Sequence, residues 1–233
     1  MPLATPLLPP LLALLPIAAT CVSLPLHRLP NAACRAVSAL AAGMQIAAAL
    51  FLLLLPTLEA ATALPLPIWL PTCGGVLIGT SLPLLKLNTK SAPPPHSMQL
   101  QIPPAAALGA LAAQLPSCAA TADMLLLLAT AAVIAAQYLA DNLFPQMSAP
   151  YAGFMHVFPR YLPTAAAIII AYAVSAEIPL LQVLLPSCGA GAMLCRAIAQ
   201  TVPQIQQSYR ANWCTLGISL GFALVLLLYS CSR

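Results

Sequence analysis

Few side chains in this 233-residue sequence could do chemistry, and their spacing argues against it. The three histidines, His27, His96 and His156, are scattered singly in expected loops, without the paired spacing a zinc site needs. The eight cysteines (Cys21, Cys34, Cys73, Cys118, Cys188, Cys195, Cys214 and Cys231) contain no CxxC pair. Most sit in or beside apolar stretches, where they are expected to stay reduced and to pack as small hydrophobes. The carboxylates Glu59, Asp123, Asp141 and Glu177 stand alone, so neither an acid/base pair nor a nucleophilic triad can be assembled. Neither GxGxxG nor GxxxxGK[ST] occurs. No catalytic residue, metal ligand or cofactor is assigned, and an enzyme is not expected, although a bound lipid or pigment fits the composition. A basic, aromatic-laced surface is also missing, which argues against a nucleic-acid partner.

One ionised residue stands out by its position. Arg196 lies ten positions into the apolar stretch Pro186–Gln206, where a central Arg costs about 2.5–3.5 kcal/mol to insert. It therefore needs a partner or must snorkel. Asp141, Glu177 and a lipid phosphate are the candidates.

The elements that would position these residues follow from composition. The chain is 61% hydrophobic and 5% charged, with a net charge of +4, far below the roughly 25% charged of a soluble domain. Lipid is the expected solvent, and the 25 prolines read as helix-end punctuation and kinks. Intervals between charges predict spans near Cys34–Leu55, Ala61–Leu85, Met98–Leu115, Ala119–Ala140, Leu162–Gln182, Pro186–Gln206 and Cys214–Tyr229. A Pro-broken segment, Leu3–Leu26, would lie in the interface or form a broken eighth helix. The expected fold is an all-α polytopic transmembrane bundle of about seven to eight spans.

With this count His27, Arg28, Arg35, Lys86, Lys90, Arg160 and Arg210 share one face, and Glu59, Asp123 and Glu177 the other. That separation is what the positive-inside rule requires, and only Asp141 and Arg233 depart from it. Met1–Thr20 has no basic residue, so a secretory signal is not expected. An organellar membrane, thylakoid or mitochondrial inner, is the favoured location, with the endoplasmic reticulum as the other reading.

Pro71-Thr-Cys-Gly-Gly recurs as Pro186-Ser-Cys-Gly-Ala, and each is followed by an apolar stretch ending in Leu82-Pro83-Leu84-Leu85 or Val202-Pro203-Gln204-Ile205. Pro83 and Pro203 are 120 residues apart with an even number of crossings between them, so the repeat is a parallel one. Val202-Pro203-Gln204-Ile205 through Arg210, followed by Leu216-Gly-Ile-Ser219, resembles a PQ-loop. Gly75-Val-Leu-Ile-Gly79 through Pro83, Lys90-Ser91-Ala92, Ser97-Met-Gln99 and Cys195-Arg196-Ala-Ile-Ala-Gln200 are similar to the mannose-P-dolichol utilization defect family. The likeness runs from about Trp69 to Arg233.

The resemblance implies two three-helix bundles joined by a linking helix. Residues 1–60 then hold the broken segment and one span, 61–141 the first bundle, 142–185 a loop and the link, and 186–233 a second bundle with its last helix missing. Leu84 stands where the family has Gln, and Pro93–Pro95 interrupt the first turn. In such carriers Pro83 and Pro203 would permit bending during alternating access; simple helix termination is the other reading. Gln204 would bind a polar ligand or bond a neighbouring helix, and Arg196 would serve as framework or ligand site. Gly189, Gly191, Gly217 and Gly221 would admit either a partner backbone or a helix of the same chain. Two functions follow from this incomplete bundle. One is a non-catalytic accessory subunit of a larger membrane complex, organellar and energy-transducing, whose partners are other integral membrane subunits and lipids. The alternative is a small-solute or lipid-linked-sugar carrier of the PQ-loop superfamily.

Overall fold

A computed structural model of the chain describes residues 8–15, 18–19, 31–62, 65, 67, 69–87, 101–114, 121–143, 154–203 and 211–232. Every regular element among them is helical: α1 (Leu8–Ala13), α2 (Asn31–Ala47), α3 (Leu55–Ala61), α4 (Trp69–Leu87), α5 (Ile102–Gln114), α6 (Thr121–Leu143), α7 (Phe154–Glu177), α8 (Pro179–Arg196) and α9 (Ala211–Ser232). A π-helical stretch, Ala48–Leu54, joins α2 to α3 without a break, and a second, Ala197–Thr201, extends α8. Four runs are long and apolar enough to cross a membrane: Ala33–Ala61, Asp123–Ala140, Pro179–Ala199 and Cys214–Cys231. Ile102–Gln114 and Leu162–Glu177 are apolar but shorter. Of Leu3–Leu26, α1 and a few further helical residues are described.

Several boundaries differ from the sequence expectation, among them the start of α4 at Trp69 instead of Ala61 and of α7 at Phe154 instead of Leu162. The first span continues to Ala61 instead of ending at Leu55, because Pro56 is absorbed by the π stretch before it. The break expected between Gln182 and Pro186 falls instead at Ile178, the one extended residue (φ −122°, ψ 104°) between α7 and α8. Pro179 starts α8, whose own ladder has no bond for its N–H, although the end of α7 loses a donor there. Pro186 is interior, where it does cost a bond.

Between lipid-soluble helices there is no hydrophobic drive to associate, so close backbone packing must supply the attraction. Two seams do this. In the first, α4 lies against α8: a Cβ on Gly75 would fall 2.6 Å from Ser187 Cβ and 2.9 Å from the Leu184 carbonyl. One on Gly79 would strike the Cys188 carbonyl, and one on Gly191 the Val76 carbonyl. Moving four residues along α4 moves the contact about four residues forward along α8, so the helices run parallel. The repeated motifs Pro71-Thr-Cys-Gly-Gly and Pro186-Ser-Cys-Gly-Ala thus sit side by side. In the second seam α9 lies against α2. Gly217 faces Ala36, Ala39 and Leu40, and Gly221 faces Leu40 and Met44, again in parallel. Beyond the glycines, Phe51 fills this seam against Phe222 (centroids 5.9 Å apart, 74° between planes) and Tyr229 (5.7 Å, 36°).

The short α5 is buried along most of its length by Pro103, Pro104, Ala105, Ala107, Leu108, Ala110 and Ala112, packed between α7 and α8. It runs antiparallel to α8, since Gly189 meets Ala107 near its start while Gln114 reaches Gln182 at its end. α8 is the hub, in contact with α4, α5, α7, α3 and the first π stretch. The core is alanine-rich, with Tyr138, Leu52, Leu53, Leu108 and Ile168 as its largest enclosed side chains. Gly189, Gly191, Gly217 and Gly221 are therefore spent on packing inside the chain and not on a partner.

Gly79→Ala is expected to destabilise the protein by about 1–3 kcal/mol because its Cβ meets backbone that cannot yield. Gly74→Ala, with nothing within 4 Å, is expected to be neutral or to gain about 0.5–1 kcal/mol of helix propensity. Unfolding midpoints of the two variants in one detergent check the contrast. The parallel α4 and α8 also predict that Ser91→Cys and Asn212→Cys label from the same membrane face, which impermeant thiol reagents can test.

Candidate functional site

In an apolar bundle the polar groups that matter first are backbone carbonyls left without a donor. An interior proline has no N–H for the carbonyl four residues earlier, and its ring crowds that carbonyl. Pro179 strands the carbonyl of Ser175, and Pro186 strands that of Gln182. Both are repaired by glutamine side chains: the Gln182 amide donates to the Ser175 carbonyl at 2.9 Å, and the Gln114 amide donates to the Gln182 carbonyl at 2.9 Å. The first bond staples α7 to α8 across the extended Ile178, and the second ties α5 to α8. Gln182 is placed for this because helical side chains lean toward the N-terminus, here over the break. Most serines and threonines with a described bond turn back on their own helix instead, as Ser38 does on Cys34, Thr130 on Leu126 and Ser187 on Val183.

Pro56 and Pro203 instead follow a widened stretch of helix. Ala48–Leu54 ends two residues before Pro56, and Ala197–Thr201 ends two residues before Pro203. In each, the next N–H reaches back five residues, Leu55 to Leu50 and Val202 to Ala197. π-bulges kink a helix and are frequent at functional sites.

The residues singled out by sequence fall in different places. Arg196 caps α8 at the start of the second π stretch, half-buried, with its Nη1 enclosed and its side chain engaged within the protein. Glu177 is not its partner: it is exposed at the opposite end of α8, about 28 Å away at 1.5 Å per residue. The side chain of Asp141 lies outside the described residues. Pro203 is helical and exposed just beyond the π stretch. Pro83 lies inside α4, which continues to Leu87, and therefore does not terminate it. Gln204 and the turns 88–100 and 204–210 lie outside the described residues.

Sequence reasoning missed Gln114 and Gln182. The signal was available, since Gln182 lies three residues after Pro179 and four before Pro186. Among the described residues no three His, Cys, Asp or Glu side chains gather as a metal site, and the described cysteines are free thiols. A groove of about 440 Å³ between the α1 region and α6, lined by Leu11, Leu14, Leu15, Ala135, Ala136 and Leu139, is apolar. The described glutamine bonds and π stretches are joints between and within helices.

Gln182→Leu is expected to lower stability by about 0.6–1.7 kcal/mol, the scale of hydrogen bonds between membrane helices. Adding Pro179→Ala, which restores a backbone donor for Ser175, should recover most of the loss. Reversible unfolding in mixed micelles measures both steps. Compared with protein-family models and with curated proteins, the chain matches none.

Proposed function

We propose that the protein is a non-catalytic subunit of a larger membrane assembly, crossing the bilayer seven times with the α1 region as a broken segment at its edge. The observation that carries this reading is α9. One of its faces is locked to α2 by glycines, while Leu216, Leu220, Leu224, Leu227 and Leu228 stand exposed on the rest. Such a helix is covered on one side only, as suits a chain at the boundary between partners and lipid. The described groove is apolar, which suits acyl chains better than a polar solute. An organellar, energy-transducing complex is the class of assembly that best accommodates a small polytopic chain with no reaction centre of its own.

A carrier is the second reading. It is favoured by the parallel, repeated α4 and α8 and by the π stretch before Pro203, both compatible with a PQ-loop-like scaffold that bends at its helix ends. The two readings part on one experiment. Native purification in mild detergent should find the chain in a stoichiometric complex, and the isolated chain should aggregate. A stable monomer whose unfolding midpoint rises saturably with a sugar, amino acid or lipid-linked sugar would establish the carrier instead.

A further inference from the structure

Gln137 lies in the interior of α6 at 1% exposure, and neither its amide nitrogen nor its amide oxygen has a hydrogen-bond partner among the described residues. One turn earlier on the same helix, Val133 and Ile134 are buried as well. On α2, Gln45 is 2% exposed with its Oε1 likewise unbonded. Gln114 and Gln182 answer stranded carbonyls, whereas the Gln137 amide reaches none. Burying an amide with no partner costs from about 1–3 kcal/mol upward. An amide retained in such a place needs an occupant that is not another side chain.

The pairing of a free donor with a free acceptor on one side chain identifies that occupant. A hydroxyl donates to Oε1 and accepts from Nε2, satisfying both. A carboxylate or an ammonium would satisfy one atom and bring an uncompensated charge into an apolar core, and an acyl chain would satisfy neither. We propose that the buried face of α6 at Gln137 holds a neutral hydroxylic ligand, a water or a polyol hydroxyl, hydrogen-bonded to the Gln137 amide. This is independent of whether the chain is a subunit or a carrier.

The test uses the full chain, in lipid nanodiscs, with nitrogen-15 in its glutamine side chains. Magnetisation transfer from water to the amides is measured, and the unfolding midpoint is followed with glycerol and mannitol as probes. Gln137→Leu assigns the Gln137 signal, Gln137→Met serves if that variant fails to fold, and Gln114→Leu is the control. Water transfer to the Gln137 amide that is lost in the variant establishes bound water. A polyol-dependent rise in midpoint that is lost at Gln137 and kept in Gln114→Leu establishes a solute hydroxyl. If wild-type Gln137 shows no water transfer and no polyol shift depends on it, the proposal is overturned.

Discussion

A carbonyl that loses its donor inside a bilayer has no water to turn to, and this constraint shapes the chain more than any other. With 25 prolines in 233 residues, the fold must repeatedly find a substitute. It uses three. Prolines such as Pro71, Pro103 and Pro104 sit in the first turn of a helix, where the missing N–H is already surplus. Pro56 and Pro203 follow π-helical stretches, where the widened turn gives the ring room. At Pro179 and Pro186 the stranded carbonyls of Ser175 and Gln182 are taken by the amides of Gln182 and Gln114. This third solution couples helices, so a local defect becomes a tertiary contact.

Those contacts converge on α8, the helix that also carries the closest backbone approach of the fold. α4 presses on one side of it through Gly75 and Gly79, and α5 on another through Gly189. Fixing α8 to α7 and α5 by amides holds the register in which Gly191 can nest against Val76. The second parallel seam, between α2 and α9, is built from the same small-residue spacing and joins the first through the π stretch and α6. Dispersion between close backbones is weak per atom pair, and it accumulates only where side chains are absent over several turns.

Much of this was legible in the residues. Apolar length between charges locates seven helical regions, and the two Pro-x-Cys-Gly motifs lie on helices that run in the same direction. The boundary between α7 and α8 was misplaced because two prolines, Pro179 and Pro186, compete for the helix start, and only three-dimensional contacts decide which can be tolerated inside. The glycines could be read as surface or interior, since spacing alone does not say which backbone approaches. Arg196 stands out by its depth and Gln182 by its spacing from Pro179 and Pro186, whereas Gln114 and Gln137, uncharged amides in apolar runs, carry no signal until their surroundings are known. The PQ-loop likeness rests on residues of which Gln204 and both turns lie outside the described structure.

The central claim is that Gln114 is held in place by what Pro186 removes. A double-mutant cycle of Gln114→Leu and Pro186→Ala, read by reversible unfolding in one detergent–lipid mixture, tests this most directly. Gln114→Leu alone should cost about 0.6–1.7 kcal/mol, and close to nothing once Ala at position 186 supplies a backbone N–H to the Gln182 carbonyl. Equal losses in the two backgrounds would show that the proline and the glutamine are independent and would contradict the account.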